Sequence, residues 1–241
     1  MNKGIYNCFF KRFFDVVLSL LAIVILSPIF LLTYLLSLIF LGGNPIFKQY
    51  RPGKNGKIFA LYKFRSMTNK KDKDGNLLPD KDRITWWGKL LRKTSLDELP
   101  QLFNILGGSM SIIGPRPRMV EECVFLDDTQ KDRFKVRPGI TGWAQVNGRN
   151  NITLDKVVQY DKEYVEKQSF WFDVKIFFKT IGYILGKGKK DINKEGTVSN
   201  EFHGDYLLRT GKIEKKYYDE RIAFAKSKIA KAKKNKNIRV E

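Results

Sequence analysis

The sequence predicts a mainly helical α+β protein with short β-strands, whose N-terminal segment enters a membrane. Residues Val16 through Phe47 form a run of 32 residues without a charge. Leu154–Lys167 and Phe172–Leu185 repeat apolar residues at helical spacing, whereas Ile58–Phe64 alternates as a short strand does. We expect three parts: a membrane segment at 1–47, a central domain at 48–195 and a basic C-terminal tail at 196–241.

The uncharged run is too long for one straight crossing and contains Ser27-Pro28 near its middle. A helix of this length would reach roughly 48 Å, against an apolar bilayer core of about 30 Å. Proline removes a backbone donor, so we expect a bend between Val16–Leu26 and Ile29–Leu41. Lys and Arg on both flanks favour the cytoplasmic side for both ends. We predict a re-entrant helical hairpin kinked at Ser27-Pro28; the alternative is a single kinked spanning helix.

An adjacent acidic pair, Asp97-Glu98, is the strongest candidate for chemistry. We expect an exposed loop at Asp72–Arg83 and a helix from Trp86 to Arg92 before it. Two carboxylates near cations can bind a divalent metal and supply a nucleophile. Pro100 fits only the first turn of a helix, which places the pair at a helix amino end that favours anions. The alternative is that Ser95-x-x-Glu98 forms only a capping box.

Two turn-rich stretches follow the acidic pair. In Gly114-Pro115-Arg116-Pro117-Arg118, two prolines fix the backbone and reduce the cost of ordering two guanidinium groups. The stretch from Arg137 to Arg149 could cradle a nucleotide through backbone amides, Arg149 and Trp143. A solvated basic loop and a packed loop are the respective alternatives.

The composition of the chain limits the classes of partner that we expect it to bind. The chain carries 45 Lys+Arg against 25 Asp+Glu, which suggests nucleic acid, an anionic membrane face or phosphorylated substrates as partners. Cys8 and Cys123 lie far apart, so we expect no disulfide framework, no zinc site and a reducing compartment. The one histidine, His203, lies outside every motif and is expected at the surface, which excludes histidine-based triads.

The C-terminal tail has its own composition. Residues 210–241 contain 11 Lys+Arg and 4 Asp+Glu. Apolar residues recur at helical steps, which suits a basic amphipathic helix on anionic lipid. They are Ile213, Tyr217, Phe224, Ala225 and Ile229. A mobile solvated tail is the alternative.

Taken together and in their order along the chain, several motifs make this sequence resemble the bacterial sugar transferases of the monotopic phosphoglycosyl transferase type. The resemblance is greatest to the small members, typified by the enzyme that starts campylobacter-type N-glycan assembly. The resemblance runs from about Lys11 to about Glu195. It rests on Lys11-Arg12-Phe-Phe-Asp15, Ser27-Pro28, Tyr62-Lys63-Phe64-Arg65-Ser66-Met67, Ser95-Leu-Asp97-Glu98-Leu-Pro100-Gln101-Leu102, Gly114-Pro115-Arg116-Pro117 and Arg137-Pro138-Gly139 through Asn147-Gly148-Arg149.

This resemblance implies transfer of a sugar-1-phosphate from a UDP-sugar to undecaprenyl phosphate, with UMP as the other product. It implies a Mg²⁺-dependent, ping-pong reaction through a phospho-Asp intermediate, at the cytoplasmic face of the inner membrane, as the first membrane step of glycoconjugate biosynthesis. Asp97 resembles the nucleophile and Glu98 its metal-binding partner, with Asp97 also near the metal. Phosphate and substrate contacts are expected from Lys63, Arg65, Arg92, Arg116, Arg118, Arg137, Gln145, Asn147 and Arg149.

Expected partners are inner-membrane phospholipid and downstream glycosyltransferases, with no nucleic acid. Two positions depart from the common family pattern: Ser109, where the segment often carries Asp, and Trp143, which replaces a commonly aliphatic residue. One alternative function is a membrane-anchored polybasic adaptor for anionic lipid or RNA. Another is a phosphotransferase acting on a nucleotide-activated group other than a sugar.

Overall fold

The computed structural model describes residues 4–148, 152–184, 202–235 and 237–240, and these residues are mainly helical. After a π-helical turn at Tyr6–Phe10, the helices are α1 (Lys11–Leu41), α2 (Asp80–Arg83), α3 (Trp86–Thr94), α4 (Gln101–Leu106), α5 (Val120–Cys123), α6 (Trp143–Val146), α7 (Leu154–Lys167), α8 (Phe170–Gly182), α9 (His203–Arg209) and α10 (Lys215–Lys234). The strands are β1 (Ile46–Pro52), β2 (Ile58–Phe64), β3 (Ser111–Ile113) and β4 (Gly139–Thr141). The mainly helical class with short strands is confirmed, and α7 and β2 have the bounds predicted from sequence.

Helix α1 is one 31-residue helix with Pro28 inside it, so the two predicted halves are continuous in the structure. Pro28 cannot donate to the carbonyl of Val24, four residues earlier. The hydroxyl of Ser27 donates to that carbonyl instead, at 2.8 Å. The serine therefore satisfies the acceptor that the proline leaves open. The re-entrant hairpin stays a prediction.

The exposed side of α1 is its apolar side. Ser19, Thr33 and Ser37 are at most 2% exposed, whereas Ile25 and Ile39 are more than 70% exposed. Polar residues of helices in membranes face protein, because lipid cannot bond to them. Among the described residues, α1 is the helix long and apolar enough to cross a membrane. This pattern is compatible with membrane anchoring.

The chain divides into two compact units. The first, which we call the carboxylate unit, comprises Val16–Gln49 and Ala60–Gly107. Its core contains Leu41 of α1, Phe64 of β2, and Trp87 and Leu91 of α3. The indole of Trp87 donates to the hydroxyl of the buried Ser37 at 3.0 Å, which joins α3 to α1.

The second unit, which we call the arginine unit, comprises Met1–Asp15, Tyr50–Phe59 and Gly108–Glu241. Strands β3 and β4 pair in parallel within it, with Ser111 opposite Gly139. Helices α7 and α8 pack beside this pair in one hydrophobic core. A second core joins α5 to the C-terminal helix α10. The β1–β2 pair contributes residues to both units.

The described part of the C-terminal tail packs within the arginine unit. Ala225 of α10 is fully buried, and Arg221 donates to the carbonyl of Val124 at 2.9 Å. The backbone N–H of Ile58 donates to the carbonyl of Ile238 at 2.8 Å, so residues near 238 extend the β1–β2 hairpin. Apolar positions predicted to face lipid, including Phe224, contact this core. The membrane-surface role of the tail and the domain boundary at 195, which lies outside the described residues, stay predictions.

His203 is 8% exposed, so the expected surface histidine is wrong. It begins α9, where the next residue, Gly204, lies so close to Phe125 that an added Cβ would come within 2.5 Å of the ring. Sequence position alone gave no sign of this burial, since the start of α9 lies beside a residue about eighty positions earlier in the chain.

Candidate active site

The acidic pair lies against a lysine in the carboxylate unit. The ammonium of Lys63, on β2, is 3.0 Å from a carboxylate oxygen of Glu98 and 3.9 Å from one of Asp97. The three side chains are 13–22% exposed, so the cluster is partly buried. At such distances one cation attracts both carboxylates. The structure thus brings together three of the residues predicted from sequence.

The backbone before the pair differs from the prediction. Ser95 ends α3 in the left-handed conformation at φ 59°, and Asp97 and Glu98 lie in the 3₁₀ turn Leu96–Glu98. Helix α4 begins only after Pro100, so the pair precedes this helix instead of forming its first turn. Within the described structure the Ser95 side chain makes no capping hydrogen bond, so the capping-box alternative is not observed. The left-handed Ser95 turns the chain sharply at the end of α3 and separates the pair from that helix.

A close helix–backbone contact fixes the position of Arg92. Gly88 of α3 lies against the backbone of Ser66, where an added Cβ would be 1.8 Å from the carbonyl oxygen. The Arg92 side chain, one turn later, donates from Nε to the Ser66 hydroxyl at 2.9 Å. Glycine at this position therefore allows α3 to carry Arg92 onto the segment that follows β2. The predicted phosphate contact of Arg92 stays a prediction.

Arg65 has a different local partner. Its guanidinium donates to the carbonyls of Leu41 and Gly42 at the carboxyl end of α1. A cation at a helix carboxyl end satisfies carbonyls that have no partner within the helix. The structure thus shows Arg65 closing α1, and its predicted phosphate contact stays a prediction.

In the arginine unit, three glycines hold the two proline-containing loops together. A Cβ added at Gly114 would be 2.3 Å from the carbonyl of Arg137, and one added at Gly142 would be 2.1 Å from the carbonyl of Gly114. One added at Gly139 would be 2.1 Å from the Gly114 nitrogen. The Gly-Pro-Arg-Pro and Arg-Pro-Gly loops therefore share a backbone contact that only glycine permits. Arg137 reaches from this contact to the carbonyl of Gly108 at 2.9 Å.

Arginines next to these loops are paired and largely buried. Arg118 lies 3.7 Å from Glu122, and Arg133 lies 3.2 Å from Asp161 in a pair whose side chains are both 5% exposed. Arg133 also donates to the carbonyl of Arg116, whose side chain is exposed. Burial lowers the pKa of Arg118 and raises the pKa of Asp161. Sequence analysis missed Arg133 and Asp161, since their 28-residue separation has no local periodicity.

The remaining predicted substrate residues lie around Trp143. Asn147 donates to the Trp143 carbonyl at 2.8 Å and accepts from the ammonium of Lys179 at 3.2 Å. That ammonium and that of Lys175 lie 4.7 and 5.2 Å from the Trp143 ring centroid. Both polar side-chain atoms of Gln145 are buried without a hydrogen-bond partner among the described residues. Arg149 lies outside the described residues.

A buried network at the start of α1 was also missed from sequence. Lys11 is 2.8 Å from Asp173 and 3.8 Å from Asp15. The hydroxyls of Tyr6 and Tyr164 donate to Asp173 at 2.6 and 2.9 Å. The i,i+4 spacing of Lys11 and Asp15 was a signal for part of it, whereas the contribution of Asp173 required the fold.

Metal ligation draws on few protein groups. In the part of the chain that the structure describes, no cluster of three or more His, Cys, Asp or Glu residues could hold a metal ion. Mg²⁺ commonly takes one or two carboxylates and completes its octahedron with water and substrate phosphate. Asp97 and Glu98 supply that donor set, so the residues present fit the predicted cofactor.

These features define a basic, mainly helical protein with a long apolar helix near its amino end and an acidic pair that contacts a lysine. The chain belongs to the bacterial sugar transferase family, whose model matches residues 6–187.

Three relatives carry sugar transferase names. The uncharacterized sugar transferase EpsL of Bacillus subtilis is 46% identical over 175 residues, which is 73% of this chain and 87% of that protein. The UDP-glucose:undecaprenyl-phosphate glucose-1-phosphate transferase of Escherichia coli is 43% identical over 185 residues. The undecaprenyl-phosphate galactose phosphotransferase of Salmonella typhimurium is 40% identical over 196 residues. Each of the last two matches covers 73% of this chain but 40% of the relative.

Proposed function

We propose that this protein transfers a sugar-1-phosphate from a UDP-sugar to undecaprenyl phosphate and releases UMP. The observation that supports the proposal is the Lys63–Asp97–Glu98 cluster, because two partly buried carboxylates beside a cation can supply a nucleophile and a ligand for a metal ion. Family membership and the printed activities of the E. coli and Salmonella relatives support a sugar phosphotransferase.

The reaction is proposed to occur in two displacements. An Asp97 carboxylate oxygen attacks the phosphorus that bears the sugar, and the anhydride bond to the other phosphorus breaks, so its electron pair leaves with UMP. An oxygen of undecaprenyl phosphate then attacks the phosphorus of the phospho-Asp. The Asp97–phosphorus bond breaks, which restores the carboxylate and yields undecaprenyl-diphosphate-sugar. Atoms and charges balance over the two steps.

The protein's own charges would make the first attack feasible. A carboxylate approaching a diphosphate is opposed by like charge, and Lys63 lies within 4 Å of both carboxylates to offset it. Arg92, held by Ser66, supplies a second cation from the same unit. Bound Mg²⁺, held by Glu98 and Asp97, would neutralise phosphate charge as a Lewis acid. Adjacent residues do not face each other in a helical turn, so divided roles for the two carboxylates are more natural than a shared proton.

Membrane attachment matches the proposed acceptor. Undecaprenyl phosphate keeps its phosphate in the interface, so an enzyme held in the same plane meets it at a higher effective concentration. We propose that α1 enters and leaves by the cytoplasmic face of the inner membrane, bent at Ser27-Pro28. Exposed lysines of α10 would add attraction to anionic phospholipid. The lipid-linked product would pass to downstream glycosyltransferases.

The central test is UMP release by the purified full-length protein, with a panel of UDP-sugars and with or without undecaprenyl phosphate. Asp97→Asn is expected to abolish release, because an amide cannot form the acyl phosphate. Asp128→Asn is the matched control, since the Asp128 side chain is 97% exposed and lies in another unit. Substantial UMP release by Asp97→Asn would rule out the covalent mechanism. If the unaltered protein released UMP from none of the UDP-sugars in the panel, the proposed class of donor would be contradicted.

A further inference from the structure

The outer face of helix α8 is exposed although it is apolar. The inner face packs in the core of the arginine unit and includes Asp173 and Ile176, which are at most 4% exposed. On the outer face large apolar side chains recur at helical spacing, and Trp171 and Phe178 are 76% and 65% exposed. The exposed set is Phe170, Trp171, Phe177, Phe178 and Ile181. An exposed apolar patch of this kind marks a contact with a partner or a membrane.

This outer face is continuous with the start of the long apolar helix α1. A chain of ring contacts joins the two, with centroids 5.2–6.4 Å apart: Phe9 to Phe13, Phe13 to Phe14, Phe14 to Phe170 and Phe170 to Trp171. All five residues belong to the arginine unit, and Phe9 and Phe13 are more than 50% exposed. Helix α1 continues from these rings as the described helix that is long and apolar enough to cross a membrane. The bilayer that receives α1 is therefore the partner that can cover the whole surface.

The charges of α8 suit a bilayer surface. Asp173 is buried, and the exposed charged residues of this helix are Lys175 and Lys179. Glu163 of α7 attracts Lys175, whereas Lys179 donates to the neutral side chain of Asn147 at 3.2 Å. Helices that lie in a membrane interface place apolar side chains at the acyl boundary and lysines beside them, near the lipid phosphates. The arrangement on α8 therefore favours anionic phospholipid.

We propose that α8 lies along the surface of the bilayer that receives α1, with its outer face at the boundary between head groups and acyl chains. Its 13 residues reach only about 20 Å, against an apolar core of about 30 Å, so α8 rests on the membrane and does not cross it. Trp171 would occupy the head-group level, where tryptophan is enriched. The arginine unit thus has a membrane contact of its own besides α1. This contact draws on the insertion of α1 but not on the proposed transfer reaction.

Fluorescent labels on the full-length protein report which residues touch lipid. Trp171→Cys and Phe178→Cys, each in a Cys8→Ser background, are labelled with nitrobenzoxadiazole and reconstituted in nanodiscs of anionic phospholipid. Cys123 can stay, because it is buried and burial raises the pKa of its thiol to about 12, which slows labelling. A lipid nitroxide near the head of the acyl chain is expected to quench both labels about threefold more than a label at Asp128→Cys. Asp128 is the matched control, since its side chain is 97% exposed and lies in the same unit.

A charge placed on the same face tests whether apolar contact brings the label to the lipid. Phe178→Glu is expected to lower lipid quenching of the Trp171→Cys label about twofold, because a carboxylate is costly at the acyl boundary and is repelled by anionic phospholipid. Phe178→Leu is the matched control and should leave the quenching unchanged. Both variants should melt within about 2 °C of the unaltered protein in detergent, because Phe178 is exposed and its replacement removes little packing.

Exposure of both α8 labels to an aqueous quencher, as at Asp128, would overturn the proposal. So would a Trp171→Cys label that is shielded from both quenchers in a protein of dimeric mass, since that result assigns the face to a second copy of the chain. A label at Ile25→Cys reports α1 separately, because Ile25 is exposed on its apolar side. Lipid quenching at Trp171→Cys without quenching at Ile25→Cys would support the α8 contact and contradict the insertion of α1. These measurements need no turnover, so absence of UMP release would leave the contact standing, and loss of the contact would leave the Asp97 chemistry standing.

Discussion

Gly139→Ala tests whether the glycine contact between β3 and β4 holds the two arginine loops in place. The new methyl group would be 2.1 Å from the nitrogen of Gly114 and 2.5 Å from the carbonyl oxygen of Thr141. Both atoms are backbone, so the strands themselves must separate by more than 1 Å to restore ordinary contact of about 3.4 Å.

Three hydrogen bonds depend on that separation. Ser111 donates to the Pro138 carbonyl at 2.8 Å, Gly114 to that of Thr141 at 2.9 Å and Gly139 to that of Pro115 at 3.0 Å. At about 1 kcal/mol each, their loss lowers the free energy of unfolding by about 3 kcal/mol. For a chain of this size that corresponds to a melting temperature lowered by about 6–12 °C.

Thermal denaturation of the detergent-solubilised protein measures this shift. Gly182→Ala is the control, because an added Cβ there meets no described heavy atom within 4 Å and alanine is the better helix former at the end of α8. We expect the control to melt at or slightly above the temperature of the unaltered protein. A Gly139→Ala melting temperature within about 2 °C of it would refute the steric argument.

Three further predictions concern other contacts. Trp87→Phe should lower the free energy of unfolding by about 1–2 kcal/mol, measured in urea, because the indole loses its bond to a buried serine; an unchanged midpoint would contradict this. Asp161→Asn should lower the free energy of unfolding by about 3–5 kcal/mol, because the buried charge of Arg133 loses its carboxylate partner. The double variant Asp161→Asn with Arg133→Met should have a higher melting temperature than Asp161→Asn alone. Pro28→Ala restores a backbone donor and should favour a spanning α1. A cysteine at Asn2 should then react with an impermeant thiol reagent in intact cells, whereas the same cysteine with Pro28 present should not; labelling in both proteins would contradict the hairpin.

Local patterns in the sequence predicted the elements that local physics decides. Leu154–Lys167 was placed correctly because its apolar spacing is strong and the helix buries one face. Ile58–Phe64 was placed correctly although its buried residues lie on both faces of the strand, since the Asn55-Gly56 turn before it marks where the strand begins. The uncharged run gave the long apolar helix for the same reason. It did not give the continuity of the helix across Pro28, where the hydroxyl of Ser27 donates to the carbonyl that the proline leaves without a donor.

The candidate site was predictable in part. The acidic pair and Lys63 came from the motif pattern, and the structure brings them within 4 Å. The turn that holds the pair was misplaced, because the left-handed Ser95 is a conformation that a serine rarely adopts and that no spacing reveals. The burial of His203 and the Arg133–Asp161 ion pair were missed, since both arise from packing between parts of the chain that are far apart in sequence.

Residues near 238 extend the β1–β2 hairpin, and this late pairing determines the order in which parts of the protein form during synthesis. The backbone N–H of Ile58 donates to the carbonyl of Ile238, and that of Val240 donates to the carbonyl of Gly56. Each of these hydrogen bonds joins residues about 180 positions apart. A ribosome adding about 5–20 residues per second needs roughly 9–36 s to make the later partner. During that interval α1 has already emerged and can enter the lipid, while Ile58 and Val120 lack the helix α10 that covers them. With the proposed insertion of α1, membrane anchoring would precede completion of the arginine unit, and a chain truncated before residue 238 would be anchored without the residues that extend the β1–β2 pair.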